Sequence, residues 1–185
     1  MPLRARLWIP LIAILASAAC TTLVDSGDAK PMAEDRRAAI ESGVRSFMQT
    51  VAHDVTEQGP TAWTTHFADD PAFFMANDGQ LAFPNSQAAK QGIQAFARTI
   101  QHIELHWGDD LRIDVLSPTL AMVASSWSEI QVDTAGHKDN ESGFFTGLAE
   151  YRNDRWQFRD AHWSSAPKTP VSGRIVGATI TDSPS

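Results

Sequence analysis

The chain has 185 residues, 43% of them hydrophobic and 20% charged, enough apolar content for a packed core and room for one domain plus appendages. A formal net charge of −7, with cations only in scattered pairs such as Arg36–Arg37, excludes a nucleic-acid role, which needs a clustered basic face to displace counterions. The single cysteine excludes an intrachain disulfide.

Residues 1–19 read as a signal peptide. Arg4 and Arg6 precede "LWIPLIAILASAA", an apolar run of about 13 residues against the ~20 needed to cross a bilayer. "SAAC" resembles a bacterial lipobox, which implies lipidation at Cys20. Ser17 departs from that pattern, so plain secretion stays open as the alternative. The expected location is therefore the periplasm or cell envelope, with the membrane reached only through a lipid anchor. Residues 20–33 are small, polar and Pro-containing, and read as a tether.

Residues 34–53 carry Ala38, Ile40, Val44, Phe47, Met48 and Val51 at three- and four-residue spacing, predicting a helix with one buried face. Gly59 and Pro60 end it. A short helix over 61–67 places Trp63 and Phe67 on one side. Two short strands are expected around Asn77-Asp78-Gly79, a hairpin signal. The next helix has Asn85 or Ser86 as N-cap, with Ile93, Phe96 and Ile100 facing inward. Four β-rich runs follow, at 103–116, 120–133, 142–152 and 155–164. Their short connections predict an antiparallel meander and an α+β layout, with helices on one sheet face. Residues 167–185 read as a flexible tail, in which "RIVGATI" has the composition of a short strand.

The last run, "RWQFRDAHWSS", holds the candidate chemistry. Strict alternation puts Trp156, Phe158, Asp160, His162 and Ser164 on one face. A carboxylate and an imidazole beside two large rings must be paired or line a wet cavity. Asp160 and His162 are thus candidate acid/base residues. Trp63, Phe67, Phe74, Trp107, Trp127 and Phe145 are candidate linings for a flat apolar ligand. Glu129 shares strand parity with Val123 and Trp127, and points either into the same space or into solvent. His102, Glu104 and His106 alternate in "HIELHW", a pattern that a solvent-facing strand explains without a metal. His53, His66 and His137 are expected at the surface. No HExxH, phosphate-cradling Gly loop or Gly-x-Ser-x-Gly elbow occurs, and no cofactor is implied.

The helix–hairpin–helix–meander order, closing on "RWQFRDAHWSS" with "FFTGLAEYR" upstream, resembles the nuclear-transport-factor-2-like (NTF2-like) superfamily, and within it the SnoaL-like and ketosteroid-isomerase-like domains. The likeness covers about 34–166. It implies a cone: a curved antiparallel sheet wrapped around the N-terminal helices, an apolar cavity, and frequent homodimers through the outer sheet face. It also implies a pocket Asp or His as general acid/base in the cyclase-type members, matched in place here by Asp160 and His162. Tyr151, beside an expected turn, is a poor match for an oxyanion donor. Three functional readings follow: a module binding a small hydrophobic molecule, a cofactor-independent isomerase or cyclase, and a dimerising envelope scaffold.

Overall fold

The computed structural model describes residues 32–167. The expected signal peptide, Cys20, most of the tether and the tail with "RIVGATI" lie outside the described residues. Helix α1, Glu34–Gln58, runs a turn beyond the periodic stretch and buries Val44, Phe47, Met48, Val51 and Val55 along one stripe. Its C-terminus turns at Gly59, whose φ of 79° a side chain would resist. A 3-10 turn at Pro60–Ala62 leads into α2, Trp63–His66. Strands β1, Phe74–Asn77, and β2, Gln80–Phe83, form the hairpin around Asp78 and Gly79. Both turn residues have positive φ, the two-residue geometry that an Asp-Gly pair adopts readily. Helix α3, Ser86–Ala97, is capped by Asn85, whose side chain accepts a hydrogen bond from the Ala88 amide.

The remaining strands are β3, Ile100–Trp107; β4, Arg112–Ser117; β5, Leu120–Asp133; β6, Lys138–Arg152; and β7, Arg155–Ser165. The expected run over 103–116 is thus two strands. Both lie along one edge of the long β5, β3 pairing with residues 127–133 and β4 with residues 120–124. The break falls at Gly108, where a Cβ would stand 2.0 Å from the Ser126 hydroxyl. The Asp110 carboxylate caps the gap, accepting from the Ser126 amide at 2.9 Å and hydroxyl at 2.8 Å.

The sheet order is β2–β1–β7–β6–β5–β3, with β4 also on β5. The expected meander holds from β3 to β7, but β1 joins β7 in parallel, so the curved sheet is mixed. That parallel seam fixes the hairpin beside the end of β7. Asp78 secures it: its carboxylate accepts from the Ser165 amide at 2.7 Å and hydroxyl at 3.0 Å. All three helices contribute to one apolar cluster on the inner face, with Phe73, Phe145 and Phe158 fully buried.

Candidate functional site

Strand β7 decides which side chains can meet. Ala149 pairs with Phe158 and Leu148 with Asp160, which leaves Arg159 as an extra, unpaired residue: a β-bulge. Below it, Trp156 packs beside Gly43 of α1 and Phe158 is fully buried. Beyond it the alternation is reset. Ala161 and Trp163 turn inward, opposite Gly147 and Phe145, while Asp160, His162 and Ser164 face outward. The expected sharing of a face by Asp160 and His162 with Trp156 and Phe158 is therefore overturned. The His162 side chain is exposed. Partial burial raises the Asp160 carboxyl, Arg159 opposing and Glu150 adding to the shift. With both groups on the outer face, the reason for giving them an acid/base role in the cavity is gone.

Trp163 takes the interior that the two polar residues leave. Its indole lies 4.6 Å from the Phe145 ring, 5.1 Å from Trp127, 5.4 Å from Trp63 and 5.6 Å from Trp107. Trp107 is held in this cluster by its N–H, which donates to the Met48 carbonyl of α1 at 2.8 Å. The depth of the cone is thus filled by rings, where a hollow was expected.

The open space lies nearer the mouth, a cavity of about 380 Å³ walled by six parts of the fold. Trp63 and Phe67 come from α2 and its C-terminus, Met75, Asn77, Ala82 and Phe83 from the hairpin, and Ile93 and Phe96 from α3. Trp127 and Glu129 of β5, Glu141 of β6, and Trp163 and Ser165 of β7 complete it. Four sequence candidates, Trp63, Phe67, Trp127 and Glu129, meet here. Trp107 and Phe145 stand behind the cavity in the ring cluster. Phe74 is 43% exposed; its neighbours Phe73 and Met75 take the inward positions. Sequence reasoning missed Trp163 as a lining residue because alternation carried it to the wrong side. It missed Glu141 because nothing in the sequence sets the β5–β6 register that places Glu141 directly opposite Glu129.

Glu129 is the polar focus of this space. It points inward with Val123 and Trp127, and its carboxylate accepts from the Gln131 amide. Burial pushes its carboxyl up to about 7; the Gln131 bond pulls it down and the charge of Glu141 pushes it further up. Among the described residues, no Lys, Arg or His lines the cavity. The indole N–H of Trp127 is buried and has no partner among the described residues. The arrangement can stack a flat apolar body on indole faces, accept a hydrogen bond at one end and exchange a proton near neutrality.

Four other features lie outside this cavity. A larger hollow of about 500 Å³ is rimmed by Ser126, Ser128, Ser142, Phe144 and Ser164; none of its lining residues among those described is titratable, and it is the wider-mouthed of the two. His66, expected at the surface, is only 7% exposed and bonds Asp54 through Nε2 at 3.0 Å. Burial lowers its pKa, outweighing the Asp54 carboxylate that favours the charged form. Neither residue lines the cavity, so the pair fastens α2 to α1. In β3, the exposed His102 and His106 share the outward face with the half-buried Glu104, whose carboxylate lies 2.9 Å from His102 and 3.9 Å from His106. Tyr151 is 40% exposed and packs on Trp156, away from any oxyanion position in the cavity.

No protein-family model and no curated protein matches this sequence. Solved structures do. An NTF2-like superfamily protein from Salmonella enterica superposes with a TM-score of 0.62 at 14% identity, over 74% of this chain and 97% of that one. A proposed scytalone dehydratase from Novosphingobium aromaticivorans gives 0.64 at 17% identity, over 78% and 98%. A type 2 hexachlorocyclohexane dehydrochlorinase gives 0.61 at 12% identity, over 80% and 100%. Likeness at such identities establishes the fold, which is NTF2-like, and leaves the chemistry to the site.

Proposed function

We propose that this NTF2-like domain binds a small, flat, apolar molecule in the cavity between α2, α3, the β1–β2 hairpin and the ends of β5–β7. The observation that carries this reading is the composition of that wall. Indoles, phenyl rings and aliphatic side chains supply most of it, the half-buried Glu129 carboxyl supplies an orienting polar group, and the volume of about 380 Å³ falls within the usual range for small-molecule sites. The surrounding scaffold is rigid where it matters, since Trp63, Trp127 and Trp163 are braced against one another and leave the cavity preformed.

The test is a fluorescence titration with the neutral dye N-phenyl-1-naphthylamine. Tryptophans at the cavity wall should transfer energy to bound dye, with saturation at one site. Ala82 is exposed at the mouth of the cavity, so Ala82→Trp should block entry and abolish the signal without disturbing the core. Undiminished dye binding in that variant would move the site elsewhere and defeat the proposal.

A further inference from the structure

We propose that Asp78 is a site of spontaneous isomerisation to isoaspartate, and that Ser165 is the residue that restrains it. The proposal stands apart from ligand binding and rests on one turn and the strand end beside it. Asp78-Gly79 is the one Asp-Gly pair in the 185 residues. Both residues are exposed at the tip of the β1–β2 hairpin, and a Cβ placed on Gly79 would meet no described atom within 4 Å. Lacking a side chain of its own, Gly79 leaves its amide nitrogen approachable by the carboxyl group of the preceding residue.

The chemistry needs only water. The Gly79 nitrogen attacks Cγ of Asp78, forming a C–N bond and breaking a Cγ–O bond. The carboxyl oxygen leaves as water, taking the amide proton and the carboxyl proton. Water then adds to the succinimide ring at the main-chain carbonyl of Asp78 and breaks its bond to the Gly79 nitrogen. The chain now runs through Cβ and Cγ, the old carbonyl carbon is a free carboxylate, and the mass is unchanged.

That attack requires the carboxyl group to be protonated and turned onto the Gly79 nitrogen. In the fold it is turned onto β7 instead. One oxygen accepts from the Ser165 amide at 2.7 Å and the other from the Ser165 hydroxyl at 3.0 Å. Both oxygens are engaged, so the group is released only when these bonds open. The reaction then removes its own restraint. It inserts a methylene into a two-residue turn whose flanking pair, Asn77 and Gln80, is fixed in register, and it moves the carboxylate off the side chain. Both bonds to Ser165 are lost. Ser165 lines the cavity with Asn77, Ala82 and Phe83 of the hairpin, so one slow covalent event unpins that wall.

The test incubates the full chain at pH 6 over several weeks, then digests it and separates the peptides by liquid chromatography with mass spectrometry. Isoaspartate gives a second peak of unchanged mass and a new substrate for protein L-isoaspartate methyltransferase. The same chain unfolded in guanidinium chloride sets the unrestrained rate. Native wild-type protein should form isoaspartate at position 78 several-fold more slowly than the unfolded chain. Ser165→Ala, shown by circular dichroism to be folded, should form it about fivefold faster than wild type, the factor expected for one lost hydrogen bond. Ser165→Thr keeps the hydroxyl and should hold the wild-type rate. Gly79→Asn tolerates the φ of 78° while crowding the nitrogen, and should slow the reaction several-fold. Absence of isoaspartate at 78 from both native and unfolded wild-type protein would overturn the site. Equal rates in native and unfolded wild type would overturn the restraint, whether or not Ser165→Ala folds. An unchanged rate in folded Ser165→Ala would take that role from Ser165.

Discussion

Glu129 sits where ionisation is least favoured, and stability should register it. Its inward position follows from simple alternation with Val123 and Trp127, so parity is enough to reveal its direction from sequence. Its titration is not legible there, because the shift comes from α3, the hairpin and Glu141, all distant in the chain. An ordinary glutamate titrates near 4.5; this one is pushed up to about 7, so the folded state keeps its proton longer than the unfolded state does. Stability is therefore fully present below pH 4.5 and is lost as pH rises from there through about 7. A shift of this size is worth about 3 kcal/mol above neutrality, at ~1.36 kcal/mol per unit. Glu129→Gln, near-isosteric and uncharged, should match wild type in thermal melts at pH 4 and exceed it increasingly up to pH 8. The titrations of His66 and Asp160 are common to both proteins and cancel in the difference. Coincident stability curves across that range would contradict the burial argument.

Among the elements, β7 shows most clearly what periodicity can and cannot say. Its existence, its length and its turn at Asn153-Asp154, both with positive φ, follow from composition and turn chemistry. Its facing beyond Phe158 does not, because one unpaired residue inverts every later side chain and leaves no mark on the pattern of residue types. Alternation alone puts Asp160 and His162 inward; packing instead selects Trp163, whose ring lies against Trp63, Trp107, Trp127 and Phe145. Burying an indole outweighs burying a carboxylate and an imidazole by several kcal/mol, and the bulge is the local distortion that allows it. Deletion of Arg159 discriminates between the two arrangements. Removing the unpaired residue leaves regular alternation with Phe158 inward, Asp160 outward and Trp163 still inward. The deletion variant should therefore fold, losing about 1–3 kcal/mol in urea titrations while retaining the near-ultraviolet circular dichroism of the indole cluster. Collapse of that signal would mean that the bulge is not what sets the facing of Trp163.

Across the whole molecule, the order of helices, hairpin and meander was legible because each element is specified locally, by spacing on α1, by Asn85 at the start of α3 and by Asp78-Gly79 in the hairpin. What could not be read was how the parts close on one another: the parallel seam of β1 with β7, the breaking of one β-rich run into β3 and β4, and the filling of the cone by Trp163. Each depends on contacts between residues far apart in sequence. The Asp54–His66 bond between α1 and α2 is a further case, since a histidine at a helix end looks like a surface residue until the partner helix is in place. Those same long-range closures join the described residues, 32–167, into one unit. The apolar cluster is continuous from Val44 on α1 through Trp63, Ile93, Ile103 and Val123 to Ala161, touching all three helices and both ends of the sheet. The hairpin is bound into it by the β7 seam and by Asp78, so it cannot melt while β7 stays folded without exposing Phe73 and Met75. Equilibrium unfolding of this domain should consequently be a single transition. Far-ultraviolet circular dichroism, which follows all the helices and strands, and tryptophan fluorescence, dominated by the cluster at Trp163, should give the same urea midpoint and slope. A fluorescence transition that precedes the loss of secondary structure would show that the aromatic cluster, and the cavity built on it, is a separately melting part rather than the centre of the fold.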